Sequence, residues 1–419
     1  MKKNKVILFL IMSTTIASML FLTSSAQTTE WEFLENPIKL TNCWDHVYGV
    51  DMDTASDGSI HFIYKTNDTS NRETYYGNNE GNVYGNTTST EIIDNDIYSN
   101  YEGSIAVDSS GNAHIVWRQH DGMTVRLYYT NNIGGSFMSP ITVDSIPDGT
   151  PDIAIDNSGK VWIVYRNGSG VYVRSYTNSL SSAEKIPNTF GTEENPSIAA
   201  NVYPHIVFDN GTGSEKEIYY SKRIGSFSPA SNISDINPGG PTHFECLDPD
   251  IFVDSSEIPY IVYQYNWPDD VGSNTSEIFF SFNLQLPYYI TWDEYNQTSP
   301  EIAVTSGGSV CVVYLTLYPP ADYNEDVHLK IRNPGENFQN MFSNYTALTT
   351  NPYSDLDPRI SVDSNDNIHV VWYGYDGAIW NVFYNRGLEP TTTPPIPAFT
   401  APIILGTIVL LVWYKKYKK

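Results

Sequence analysis

One unit recurs seven times along the 419 residues, and this repetition constrains the fold more than any other feature of the chain. Its clearest copies are SIAVDSSGNAHIVW (104–117), DIAIDNSGKVWIVY (152–165) and RISVDSNDNIHVVW (359–372). The weaker copies are GVDMDTASDGSIHFIY (49–64), SIAANVYPHIVF (197–208), DIFVDSSEIPYIVY (250–263) and EIAVTSGGSVCVVY (301–314). From Asp53 to Asp363 six intervals cover 310 residues, a mean spacing near 52. A period of that size belongs to a solenoid, a propeller or an array.

Within each unit apolar and polar residues alternate at period two, as at Ile105, Val107, Ile115 and Trp117. Both halves therefore read as strands, joined by a short Ser/Asn/Gly turn. A second strand pair follows, seen in LYYTNNIGGSFMSPITV (127–143) and EIYYSKRIGSFSPASNI (217–233). Four short antiparallel strands per repeat make the blade of a propeller. The prediction is an all-β fold, a seven-bladed β-propeller over 27–387. The last repeat ends at NVFYNRG (381–387) without an outer strand. The segment WEFLENPIKLT (31–41) precedes the first repeat, and its Phe33…Pro37-Ile38 matches Phe137…Pro140-Ile141. It is expected to complete the seventh blade by strand exchange, leaving no open sheet edge.

The two ends read as targeting segments. Lys2, Lys3 and Lys5 lead into an apolar run over 6–22 and then Ser24, Ser25 and Ala26. That is the order of a secretory signal peptide, 1–26. A Thr/Pro-rich linker at 388–395 precedes the uncharged stretch 396–414. As a helix this stretch would span about 28 Å, close to the bilayer hydrocarbon thickness. Lys415, Lys416, Lys418 and Lys419 follow, which predicts a cytoplasmic tail at 415–419 and a propeller outside the cell. With the three signal lysines and four tail lysines set aside, 16 of 23 basic residues face 48 acidic ones, a net charge near −32. Such a surface repels nucleic acid and anionic lipid headgroups, so nucleic-acid partners are excluded.

Three cysteines are too few for a disulfide scaffold. Cys311, flanked by Val310, Val312 and Val313, reads as a core residue. Cys43 and Cys246, both read as loop residues, are the candidate disulfide of an exported chain. Eight N-glycosylation sequons begin at Asn67, Asn86, Asn167, Asn210, Asn232, Asn274, Asn296 and Asn344.

The C-terminal arrangement of stalk, Pro397-Ala398-Phe399, apolar span and basic tail resembles the anchors of archaeal surface proteins. The repeat rhythm of the exported region resembles the sialidase-like and BNR-repeat propellers. The Asp-box of those families, Ser-x-Asp-x-Gly-x-Thr-Trp, has no full copy; Asp108 and Gly111 share only its acidic residue and glycine. What the resemblance implies is a glycoside hydrolase with three arginines on a ligand carboxylate, a Tyr–Glu pair and an acid/base Asp. Arg118, Arg166 and Arg359 are available arginines, but none stands in the family's Phe-Arg-Ile-Pro motif.

His61, His114, His205 and His369 share one repeat position with Trp162, Tyr260 and Cys311, so that position packs blades together rather than binding a metal. Tyr64, Trp117, Tyr165, Phe208, Tyr263, Tyr314 and Trp372, which end the second strand, are expected in the core. Asp51, Asp53 and Asp57, with Asp363, Asn365 and Asp366, offer oxygen ligands at calcium-loop spacing. Tight turns demand the same residues, and no cofactor is assigned. At the mouth of the axial channel the first strands present Gly49, Ser104, Asp152, Ser197, Asp250, Glu301 and Arg359. The second strands leave that face through Lys65, Arg118, Arg166, Asp209, Gln264, Leu315 and Tyr373. The candidate ligand-binding set is therefore the basic arc Lys65, Arg118, Arg166 and Arg359 with the carboxylates Asp152, Asp250 and Glu301. Long loops on the same face hold Trp267, Asp269, Asp270, Tyr318, Tyr323 and Tyr353, residue types that suit sugar rings.

The reading these features support is a membrane-anchored recognition module at the cell surface, with an extracellular glycan or a surface protein as its partner. The alternatives are a sialidase-like glycoside hydrolase and a surface-layer spacer without a discrete ligand.

Overall fold

The computed structural model describes residues 31–41, 46–66, 72–79, 89–94, 99–120, 122–212, 216–234, 245–267, 275–318, 324–336 and 345–388. The expected signal peptide, the linker beyond Leu388, the membrane span and the tail lie outside them, as do Cys43, Asp269, Asp270 and Tyr323. Among the described residues no helix is long and apolar enough to cross a membrane.

Seven antiparallel sheets of four or five strands follow one another in chain order, the blades of a propeller. The innermost strands are Val47–Thr54, Ser99–Val107, Pro147–Ile155, Glu193–Ala200, Glu245–Val253, Asn296–Val304 and Asp355–Val362. These alternate between buried and partly exposed residues because one face lines the channel. The second strands are buried at nearly every position, and Ile60–Thr66 at all of them. Such a strand has a neighbouring blade on each face, which explains its near-continuous apolar character.

The seven aromatics that end the second strand are all at most 2% exposed, the packing role their repetition predicts. Most stack on a ring of the third strand, as Trp117 does on Tyr128 and Phe208 on Tyr219, at 5.8 and 6.0 Å between centroids. Truncating one to alanine is expected to cost about 3–5 kcal/mol. The histidines are structural too. Nδ1 of His61, His114, His205 and His369 meets the hydroxyl of Tyr76, Tyr129, Tyr220 and Tyr384 at 2.6, 2.7, 2.7 and 3.0 Å.

The Asp-rich turns are consumed by the hairpins. Oδ1 of Asp108 accepts the amides of Ser110 and Asn112 at 2.8 and 2.9 Å, and Asp363 does the same for Asn365 and Asn367 at 2.9 Å each. Among the described residues no group of three or more His, Cys, Asp or Glu side chains is arranged to hold a metal ion.

Blade one corrects the sequence register by two residues. Asp51 opposes Ile63 as Ser104 opposes Val116, so Asp51 and not Gly49 is the channel-mouth residue. The turn position belongs to Ala55, whose amide bonds Ser59 O at 2.8 Å as Asp108 bonds Asn112 O. The alternation Val50-Asp51-Met52-Asp53 satisfies the strand pattern in both registers, and Asp53 imitated the missing turn aspartate. Gly49 instead occupies a bulge at φ 60°, and Asn195, Asp248, Ser299 and Asp357 take the matching position with φ between 45° and 53°.

Cys246 is also corrected. It lies within the inner strand Glu245–Val253, fully buried and free, rather than in a loop.

The ring closes through the N-terminal segment. Ile38 and Lys39 pair with Tyr384 and Phe383 of the last strand, Trp380–Leu388. Leu40 N bonds Val382 O at 2.8 Å, Leu34 N bonds Asn385 Oδ1 at 3.1 Å, and Lys39 Nζ meets Asp376 at 2.7 Å. Gly387 leaves the room that the Phe33 ring fills; a Cβ there would approach the ring to 2.5 Å.

Candidate functional site

Each inner strand gives one residue to a ring at the channel mouth: Asp51, Ser104, Asp152, Ser197, Asp250, Glu301 and Arg359 in blade order. With Asn195, Asp248 and Asp357 they line a cavity of about 310 Å³. A bulge immediately before each ring residue shifts the register and turns these side chains inward.

The ring residues hold one another. Ser104 Oγ donates to Asp152 at 2.8 Å and Ser197 Oγ to Asp250 at 2.9 Å. The second carboxylate oxygens of Asp51, Asp152 and Asp250 accept the amides of Ile105, Ile198 and Ile302 on the next blade, each at 2.8 Å. Arg359 completes the circle: its guanidinium is hydrogen-bonded to Glu301, donates to Asp357 Oδ1 at 2.7 Å and to Val50 O at 3.1 Å, and lies 3.7 Å from Asp51. Burial pushes Asp51 up to about 6, with Arg359 opposing and Asp152 adding. Burial also raises Asp152, Asp250 and Glu301 above the ordinary carboxylate range. Asp152, Asp250, Glu301 and Arg359 thus meet in one cavity, where each is already engaged with the protein.

The basic arc divides. Arg359 belongs to the ring. Arg166 pairs with Asp148 at 3.1 Å and donates to Gly191 O at 3.3 Å, with Glu194 at 3.9 Å. Both are compensated, because carboxylates on their own and adjacent blades reach them. Arg118 is likewise bonded to Glu102, and both it and Arg166 leave an enclosed Nε without a partner. Lys65 differs. Lys65 is 5% exposed and makes no hydrogen bond or ion pair with a described residue. Burial pulls its ammonium down to about 8; nearby Glu102 and Asp357 oppose this, and Arg118 and Arg359 add to it. A Cβ on Gly49 would lie 3.4 Å from Lys65 Nζ, so the glycine leaves space at the amine.

A third cation joins them that the sequence did not single out. The Arg72 guanidinium stands 5.3 Å from the Tyr48 ring centroid and 5.5 Å from that of Tyr101, with Arg118 on Tyr101 at 5.8 Å. Arg72 has no carboxylate partner among the described residues, and Glu73 beside it accepts the Tyr75 hydroxyl at 2.8 Å. The Tyr48 hydroxyl is enclosed without a partner. Arg72 lies outside the repeat frame, in the connection between second and third strands, and the frame was the only sequence signal for this face.

The expected aromatic plates are distributed over three blades. Trp267 on blade five meets Trp292 edge-on at 5.5 Å, and Tyr318 on blade six meets Tyr295 at 4.7 Å. Tyr353 packs apart from them against Tyr375 on blade seven at 5.5 Å.

No family model matches the chain, and no curated protein matches it in sequence. Among solved structures, a protein of unknown function from Dyadobacter fermentans is similar at 10% identity with a TM-score of 0.51, over 85% of this chain and 99% of that one. Polysaccharide lyase Uly1 is similar at 10% identity with a TM-score of 0.52, over 88% of this chain and 96% of its own. The NanB sialidase from Streptococcus pneumoniae matches at 11% identity and a TM-score of 0.44, over 85% and 71% of the two chains. At these identities the first two likenesses establish a shared propeller fold.

Proposed function

We propose that the chain is a recognition module displayed at the cell surface, binding an acidic extracellular glycan on the channel-mouth face. The observation that carries this is the gathering of Lys65, Arg72 and Arg118 on blades one and two, where Glu102 bonds Arg118 and Arg72 rests on the Tyr48 and Tyr101 rings. In a chain with 48 acidic and 23 basic residues, three cations gathered at one face stand out, and Arg72 among them has no carboxylate partner among the described residues and is free to meet a ligand. Arginine suits a carboxylate because its planar fork donates two parallel hydrogen bonds. The Tyr48 and Tyr101 rings hold the Arg72 guanidinium by cation–π contact at 5.3 and 5.5 Å. The fold is shared with a polysaccharide lyase, which is consistent with a glycan partner. Recognition is preferred to hydrolysis because the channel carboxylates Asp152, Asp250 and Glu301 are bound to neighbouring blades.

The test is calorimetric titration of the full chain with galacturonate oligosaccharides and with their methyl esters. The acid is expected to bind and the ester to bind at least tenfold more weakly, with Arg72→Gln removing the difference. Equal affinity for acid and ester would refute the reading. Display is tested separately: protease added to intact cells should remove the propeller while a tag after Lys419 stays protected.

A further inference from the structure

We propose that the outer top edge of blades five and six is a second binding site, built to stack the pyranose rings of a neutral saccharide. It rests on residues remote from the basic cluster and stands independently of that reading. Trp292 is 64% exposed, Tyr289 51% and Tyr345 56%. Tyr289 ends the outer strand of blade five, Trp292 follows in the segment that joins the two blades, and Tyr345 opens the outer strand of blade six. Tyr289 and Trp292 meet edge-on at 4.7 Å, Trp267 supports Trp292 from beneath, and Tyr295, three residues on, meets Tyr318.

The rings are held rigid from below. His328 is 3% exposed; its Nδ1 meets Thr316 Oγ1 at 2.9 Å and its Nε2 the Tyr318 hydroxyl at 3.2 Å. Tyr345 stacks on that clamped imidazole at 4.6 Å and 24°. Exposed rings fixed in advance lose little freedom when a ligand covers them. They present flat faces to the axial C–H groups of a pyranose.

Two enclosed acceptors beside the rings identify the ligand's complementary chemistry. Glu277, 2% exposed, takes the Asp293 amide on Oε1 at 3.2 Å and leaves Oε2 without a partner. Gln297, 1% exposed, donates to Asp293 Oδ1 at 2.7 Å and leaves Oε1 without a partner. Both converge on Asp293, an exposed carboxylate next to Trp292. The unpaired Gln297 oxygen and the exposed Asp293 carboxylate call for hydroxyl donors. The nearest cation, Lys330, is turned inward to Ile290 O at 2.9 Å. An acidic sugar would meet repulsion here, whereas a neutral one offers donors and stacking faces together.

The experiment is tryptophan fluorescence and calorimetric titration of the full chain with uncharged hexaoses of glucose, mannose, galactose and xylose. At least one is expected to bind and to shift the emission. Trp292→Ala and Tyr345→Ala should each weaken it at least tenfold without lowering the melting temperature, while Arg72→Gln leaves it unchanged. Binding of none of the hexaoses, or full binding by Trp292→Ala, would overturn the proposal. So would a dimer of the full chain that Trp292→Ala dissociates, since the rings would then be covered by a second copy. The Arg72→Gln arm separates this site from the acidic-glycan reading, which can fail without it.

Discussion

Ser104 on blade two donates its hydroxyl to Asp152 on blade three at 2.8 Å, and Ser197 on blade four repeats the contact to Asp250 on blade five at 2.9 Å. The same carboxylates accept amides from the blade beyond, so each aspartate ties three consecutive blades at the axis. Blades six, seven and one lack this Ser–Asp alternation and use Glu301, Arg359 and Asp51 instead. The ring residues position one another before they can position a ligand.

Arg359→Gln removes the cation that Glu301, Asp357 and Asp51 share. Leaving recessed carboxylates unpaired is expected to destabilise the fold by about 3 kcal/mol. Chemical denaturation should show a lower midpoint with an unchanged slope, and an unshifted midpoint would show that the ring does not bear on stability.

Burial sets an unusual pH dependence. Asp51, Asp53, Asp209 and Asp355 are pushed up to about 6 and Glu277 to about 7. In the unfolded chain these groups titrate near about 4, so between pH 4 and 7 the folded state holds more protons. Their contribution is fully present at the acid end and is lost as pH rises through that window. Buried His61 and His328, pulled down to about 4, act oppositely, losing stability as pH falls below about 6.5. The carboxylates outnumber them, so the melting temperature should be higher at pH 5 than at pH 8. The Asp51→Asn, Asp53→Asn double variant should show a flatter profile.

Cys246 and Cys311 are both fully buried, and burial raises both thiols well above their ordinary range. Only thiolates react readily. Neither should be alkylated by iodoacetamide in the native chain, and both should be after denaturation, as read by peptide mass. Alkylation of Cys246 under native conditions would contradict the position assigned to it.

Gly387→Ala tests the closure at one atom. The added methyl group collides with the Phe33 ring, and the N-terminal strand must shift or detach. The variant should melt earlier, and amide exchange should rise in Ile38–Lys39 and Trp380–Leu388. Removal of 31–41 should go further and cause aggregation through the bared edge of the last strand.

The architecture was legible because seven copies average out the noise of any one. Blade count, closing segment and buried aromatics all follow from the period and the alternation. Blade one escaped because Asp51 and Asp53 fit the pattern two residues apart. The site was less legible, because partnership is not periodic: Arg118 and Glu102, or Arg166 and Asp148, meet across a hairpin whose bulge no spacing reveals. Arg72 lies in a connection, where the repeat says nothing, and its neighbours Tyr48 and Tyr101 come from two different blades.

Leu34 and Asn385 share a hydrogen bond across 351 positions of sequence. At a synthesis rate of about 5–20 residues per second, the first strand leaves the ribosome roughly 20–70 s before its partner exists. Blades one to six must therefore assemble as an open arc. The apolar segment around Phe33, Ile38 and Leu40 stays unsheltered over that interval, so correct assembly is a matter of timing. Chaperones that mask an early N-terminal segment should raise the yield of this chain more than those acting late.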